Sequence, residues 1–280
     1  MKKIMAILFF SLLFFSGCTK KTNSESYSIG AISLQGTKHM PGQSYAAYIP
    51  LSENAINSSL NLTLLDNGVP SDSLVLNDSA AIENGKATLM WNVHSDGEHT
   101  LEAVLYDNGT EAASRSVSIS AVPLGLKEED FAEVEFWNEP VEKALLQAQA
   151  FDLQTSIEVK KAGVYMKYFV APTSNSTVTV QLRRGAVDGA VLAEASFPSS
   201  SLGTEFEWQF LSFPAVQLGP GRYWLVMQRS EATGTVVWRR GPGNLIGTDD
   251  DSMTLDNTRG QQGSWQVDDV DFTFQVSSQD

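Results

Sequence analysis

The chain contains one cysteine, three histidines, and 19 basic side chains against 33 acidic ones. Each shortage closes off a kind of chemistry. A single thiol forms no intrachain disulfide, so any fold must stand on its hydrophobic core. His39, His94 and His99 are the whole histidine supply. With no serine in a Gly-x-Ser-x-Gly elbow and no second cysteine, a nucleophile–histidine pair lacks its parts. The formal net charge of −14 repels nucleic acid and anionic lipid headgroups, which removes nucleic acid as a partner. Long apolar runs are absent too. Residues 4–15, interrupted only by Ser11, fall short of the roughly 20 residues a membrane-spanning helix needs.

That short apolar run follows Met1, Lys2 and Lys3 and precedes Ser16, Gly17 and Cys18. A basic start, an apolar stretch and small residues before a cleavage point make a secretory signal. The stretch Phe15, Ser16, Gly17, Cys18 resembles the lipobox of bacterial lipoproteins. The resemblance implies that residues 1–17 are a signal peptide and that Cys18 is acylated (the palmitate-bearing residue) at the start of the mature chain. Two or three acyl chains give lasting membrane attachment where one gives only marginal binding. The protein would then sit lipid-anchored at the cell envelope, at the outer membrane if Thr19 follows the usual sorting. Loss of Lys2 and Lys3 leaves 17 basic side chains against 33 acidic ones, a formal charge of −16 on the remaining 263 residues. Residues 18–26, polar after the cysteine, read as a flexible tether.

The rest divides into two all-β units, predicted at 27–122 and 131–277, with a linker at 123–130 where Pro123 and Gly125 precede Lys127, Glu128, Glu129 and Asp130. In the first unit, Leu60, Leu62 and Leu64 alternate with polar residues, as do Ala87, Leu89 and Trp91. Asp66, Asn67, Gly68 and Asp107, Asn108, Gly109 supply hairpin turns. Short alternating runs at such spacing predict a sandwich. The segment from Asp96 to Gly109 resembles the closing strands of bacterial immunoglobulin-like domains, with His99 where their corner tyrosine stands.

In the second unit, strands are predicted at 145–153, at 156–170 with a break at Ala162 and Gly163, and at 176–183, 190–197, 205–213, 221–228, 234–240 and 270–276. Residues 141–150 also have helix-favouring composition, but a strand is preferred because Leu146, Ala148, Ala150 and Asp152 share one face. Gln149 with Phe151, Val178 to Arg183, Gly189 to Ala195, Trp208 with Phe210 and Phe213, Gly219 to Val226, Trp265, and Asp271 to Val276 together resemble the jelly-roll domains of bacterial surface proteins known as choice-of-anchor domains. The resemblance implies a β-sandwich of carbohydrate-binding-module type.

Candidate chemistry is sparse. His94, Asp96, Glu98 and His99 could hold a metal, but Asp96-Gly97 reads as a turn and His99 as the sandwich corner. Glu133 with Glu135, and Glu205 with Glu207, are carboxylate pairs of the kind a glycosidase uses, though a solvated acidic face explains them better. Asp249, Asp250 and Asp251 with Asp256 offer loop oxygens for a structural calcium. No cofactor is required. Trp208 and Trp224 are expected in the core, whereas Trp238 and Trp265, with Arg239 and Arg240, are expected at a rim where a ligand could be touched.

The function expected from sequence is therefore non-catalytic: a membrane-anchored binding module recognising a glycan or another envelope polymer. The alternatives are a scaffolding lipoprotein that docks onto an envelope protein and, third, a glycoside-active enzyme.

Overall fold

A computed structural model describes residues 27–76, 81–126, 144–170, 176–229, 235–242, 252–256, 265–268 and 270–279. Residues 1–26, read from sequence as signal peptide, acylated Cys18 and tether, lie outside these residues. Among them, no helix is long and apolar enough to cross a membrane. The protein is all-β, built as antiparallel sheets packed face to face.

The first half contains β1 (Ser33–Leu34), β2 (Ser44–Pro50), β3 (Asn61–Asp66), β4 (Val69–Val75), β5 (Ile82–Glu83), β6 (Lys86–Asn92), β7 (Gly97–Asp107) and β8 (Thr110–Ala121). They form two four-stranded sheets, ordered β1-β2-β6-β5 and β4-β3-β7-β8. The expected alternation holds. Leu62 and Leu64 of β3, Leu89 and Trp91 of β6, and Leu101 and Leu105 of β7 all point into one core. Asn67 and Asn108 sit at φ 50° and 49°, each followed by a positive-φ glycine, which is the backbone that a tight hairpin needs.

The corner of this sandwich is an ionic one. His99 Nε2–H donates to the Ser95 carbonyl at 2.9 Å, four residues upstream, as a corner tyrosine would. Its Nδ1–H meets the Asp66 carboxylate at 2.8 Å, and Trp91 Nε1–H donates to the same carboxylate at 3.0 Å. The Asp66 hydrogen bond lifts the His99 pKa; burial opposes it and the Ser95 carbonyl adds to it. Burial alone would raise the Asp66 carboxyl, but its bonds from His99 and Trp91 outweigh burial and hold it low.

The second half contains β9 (Leu124–Leu126), β10 (Ala144–Leu153), β11 (Ile157–Val170), β12 (Thr177–Arg184), β13 (Val191–Pro198), β14 (Glu207–Leu218), β15 (Gly221–Arg229), β16 (Thr235–Trp238), β17 (Arg240–Pro242), β18 (Ser252–Asp256), β19 (Trp265–Asp268), β20 (Val270–Phe272) and β21 (Phe274–Ser277). One sheet runs β13-β12-β15-β10-β18-β19; the other runs β14-β11-β21-β9, with β16 also on β11. Phe151, Leu182, Tyr223, Leu225, Trp238, Phe272 and Phe274 fill the core between them.

One expectation holds and several change. Residues 144–153 are a strand, as preferred over a helix. The break expected at Ala162 and Gly163 is absent: β11 runs through both, and the irregularity falls between Val159 and Lys161. Leu124, Gly125 and Leu126, read as linker, pair with β21. Gly125 is needed there because a Cβ on it would meet the Phe274 backbone. Two short strands, β18 and β19, lie where only loop was read.

The two sandwiches are joined by more than the covalent link. Gly42 accepts from the Gln154 and Thr155 amides, and His94 Nδ1–H donates to the Ser156 carbonyl at 2.9 Å. The buried Asp96 carboxylate accepts from Ser277 Oγ at 2.8 Å and from the Ser278 amide at 3.0 Å. The acidic–histidine cluster read as a metal candidate is thus dispersed: His94 and Asp96 hold the junction while His99 holds the corner. Among the described residues no three His, Cys, Asp or Glu side chains converge.

Candidate functional site

The long strand β11 and its neighbour β14 present a patterned outer face. Ala162, Val164 and Met166 of β11, with Leu211 and Phe213 of β14, point into the core. The opposite parity therefore points out: Lys161, Gly163, Tyr165 and Lys167 on β11, and Trp208, Phe210 and Ser212 on β14. Register places Ser212 opposite Lys161, Phe210 opposite Gly163, and Trp208 opposite Tyr165. Phe206, just before β14, has the same parity.

These aromatics pile along the strands. Phe206 and Tyr165 have ring centroids 5.6 Å apart with planes 25° off parallel. Tyr165 and Trp208 are 5.2 Å apart, and Trp208 and Phe210 are 5.7 Å apart at 17°. Gly163 makes the pile possible: a Cβ there would lie 2.7 Å from Phe210 Cε1 and 3.1 Å from Trp208 Cε3. The bare backbone lets both rings lean across β11.

Three cations attend the rings. Lys167 Nζ lies 4.6 Å from the Phe206 centroid and Lys161 Nζ 5.5 Å from that of Phe210. The Arg239 guanidinium is 5.3 Å from Phe206 and 5.5 Å from Tyr165. Each exposed cation–π contact is worth about 0.5–1 kcal/mol, and each ring pair about 0.5–1.5 kcal/mol beyond its buried area. Mutual packing accounts for the half-buried Phe206, Tyr165 and Trp208. It does not account for Phe210, which is 52% exposed and leaves apolar ring surface in water at a cost of about 25 cal/mol per Å².

The residues predicted as ligand contacts are not brought together. Trp238 is 1% exposed, stacks on Phe272 at 4.7 Å, and donates its indole N–H to the Thr273 carbonyl at 2.7 Å. It has no free face to offer, which corrects the rim expectation. Its aromatic neighbours in the core outbid the two flanking arginines in setting its direction. Trp265 opens β19 and packs, partly buried, against Ala148, Ala150, Val187, Trp224 and Val226 on the outer face of the six-stranded sheet. Arg239 lies on the other sheet's outer face, as above. The Arg240 side chain falls outside the described residues.

Trp208, expected in the core, stands on the outer face. Trp224 is buried as expected, though beneath the Arg183–Val191 connection rather than between the sheets: its indole N–H reaches the Gly185 carbonyl at 3.3 Å. Arg183 grips Gln181 Oε1 and the Val187 carbonyl. Glu207 accepts from the Gly203 amide at 3.1 Å. Asp249, Asp250 and Asp251 lie outside the described residues, as do Glu133 and Glu135. Asp256 ends β18, pairing with Ala144, and its side chain is not described.

No family model matches this chain, and no curated protein does. Among solved structures, a protein from Corynebacterium diphtheriae described as membrane-anchored is similar at 9% identity and TM-score 0.31, over 92% of this chain and 60% of that one. A carbohydrate-binding module of the β-sandwich superfamily is similar at 6% identity and TM-score 0.26, over 77% of this chain and all of that one. PorU from Porphyromonas gingivalis is similar at 16% identity and TM-score 0.26, over 76% of this chain and 20% of that one. Values this low carry no functional argument, so the reading below rests on side chains.

Proposed function

We propose that the chain is a lipid-anchored, non-catalytic binding module of the bacterial cell envelope, and that it recognises a glycan on the outer face of β11 and β14. The observation that carries this is the aromatic strip Phe206, Tyr165, Trp208 and Phe210, whose last ring is half in solvent without a structural reason. Exposed aromatic rings with adjacent polar groups suit the C–H faces and hydroxyls of sugars. A flat strip of this kind supports weak contacts that gain strength by repetition at a membrane surface. The anchor rests on residues 1–18, and a formal charge of −16 suits a body held off an anionic bilayer.

Phe210→Ala tests the strip at the cost of one ring pair and one cation–π contact, about 1–2.5 kcal/mol together, so its melting temperature is measured alongside to show that the fold is retained. On a glycan array, and by titration against whichever glycan binds, the variant is expected to lose about tenfold or more in affinity, or ~1.4 kcal/mol. Unchanged affinity would remove the strip from the site. Retrieval of one envelope protein by the wild-type chain but not by the variant, with no glycan bound, would favour the scaffolding role instead.

A further inference from the structure

We propose that the strip takes an anionic polysaccharide, its sugar rings against Phe210 and Trp208 and its charged groups held by Lys161 and Lys167. This rests on the glycan reading above and specifies the class of glycan. Charge placement is the first ground. The chain as a whole carries 33 acidic and 19 basic residues, so a cationic patch runs against its overall balance. Among the described residues, the outward positions of β11 from Lys161 to Lys167 and of β14 from Trp208 to Ser212 hold two lysines and no carboxylate.

The second ground is what the lysines do. Lys160, one residue away, pairs with Glu158 at 3.4 Å, and Arg222 pairs with Asp152 at 3.8 Å. Neither Lys161 nor Lys167 makes an ion pair among the described residues. Each instead lies against a terminal ring of the pile, Lys167 on Phe206 and Lys161 on Phe210. An ammonium over one ring keeps its other side hydrated and its charge available. The strip thus has a cation at each end and rings at 5.2 to 5.7 Å intervals between, an arrangement suited to a repeating polymer with spaced negative groups. The protein's overall negative charge opposes the approach of any polyanion, so the attraction is local, confined to the roughly 8 Å around the lysines that salt leaves unscreened.

Carboxylate and sulfate share this chemistry, and the test separates them. Calorimetric titration of the full chain would compare polygalacturonate, dextran sulfate and fully methyl-esterified polygalacturonate, which keeps the same sugars without the charge. At least one polyanion is expected to bind, with the esterified polymer at least tenfold weaker; the better polyanion names the group. Raising salt from about 50 to about 200 mM should weaken binding several-fold, a wild-type readout that needs no variant. The Lys161→Gln, Lys167→Gln double variant should bind charged and esterified polymer alike, with its melting temperature retained. If the esterified polymer binds wild-type chain as well as the charged one does and Phe210→Ala abolishes both, the glycan reading stands and the charge assignment falls. If no polysaccharide binds, including a neutral panel, the glycan reading itself falls. Lysine-dependent capture by anionic lipid vesicles, without polysaccharide binding, would overturn the proposal in favour of a membrane surface.

Discussion

Replacing Trp238 with alanine is expected to cost the second sandwich about 3–5 kcal/mol, a large part of the roughly 5–15 kcal/mol that holds a typical domain folded. Three contributions converge on this side chain. Its ring is fully enclosed at 1% exposure, it stacks on Phe272, and its N–H satisfies the Thr273 carbonyl. Truncation leaves a large cavity in a sheet-to-sheet core and removes the shorter of two hydrogen bonds to the Thr273 carbonyl, which keeps only the Tyr165 amide at 3.4 Å. Thermal or urea unfolding followed by tryptophan fluorescence measures the loss. A variant that unfolds like wild type would mean that the indole is at a surface, as the sequence reading had it, and that the core described here is wrong at this point.

Breaking the Asp66–His99 corner should be comparably severe in the first sandwich. The pair is buried, with side-chain exposures of 10% and 2%, and Trp91 depends on the same carboxylate. Asp66→Ala leaves His99 Nδ1 and the Trp91 indole N–H without their shared acceptor, and each buried polar group so stranded costs about 1–3 kcal/mol. The pair also sets a pH dependence. His99 is raised above the ordinary histidine value of 6.5, so its contribution is complete below that value and fades as pH rises through the raised pKa. Asp66 is lowered below the ordinary 3.8, so its contribution is present above that value and fades as pH falls through the lowered pKa. The corner is strongest between these limits. His39, held low by burial, contributes the opposite slope in wild type and variant alike, so the test is the difference: between about pH 5.5 and about pH 9 the wild type should lose more denaturant resistance than His99→Gln does. An equal slope in the variant would place the pH dependence elsewhere.

The first sandwich was largely legible in the sequence because its chemistry is local. Leu62 and Leu64, or Leu89 and Trp91, announce their face by alternation, and Asn67-Gly68 and Asn108-Gly109 announce their turns. His99 could be placed at the corner because the segment from Asp96 to Gly109 resembles the closing strands of immunoglobulin-like domains, where a corner tyrosine stands. Its partner Asp66 could not, because the pairing depends on β3 lying beside β7. The second sandwich hid its most exposed aromatics. Phe206, Trp208 and Phe210 alternate as cleanly as any core strand, and tryptophan is more often inside than out. The parity of Leu211 and Phe213, also apolar, competes with theirs, so the segment is hydrophobic on both faces and does not say which one the core takes. The register with Gly163 decides it, since only a strand without a side chain there admits two leaning rings. Trp238 and Trp265 failed as a pair for the opposite reason. Flanking arginines and a nearby Gly-Ser step suggest a rim, but each tryptophan follows the sheet it belongs to, and the two belong to different sheets.

The most direct test of the account is where a bound glycan sits. Chemical-shift mapping of the full chain with the glycan that binds best is predicted to perturb Tyr165, Phe206, Trp208 and Phe210 together, with Lys161 and Lys167 at the margins. Perturbation centred on Trp265 and the outer face of the six-stranded sheet, with β11 and β14 silent, would contradict it.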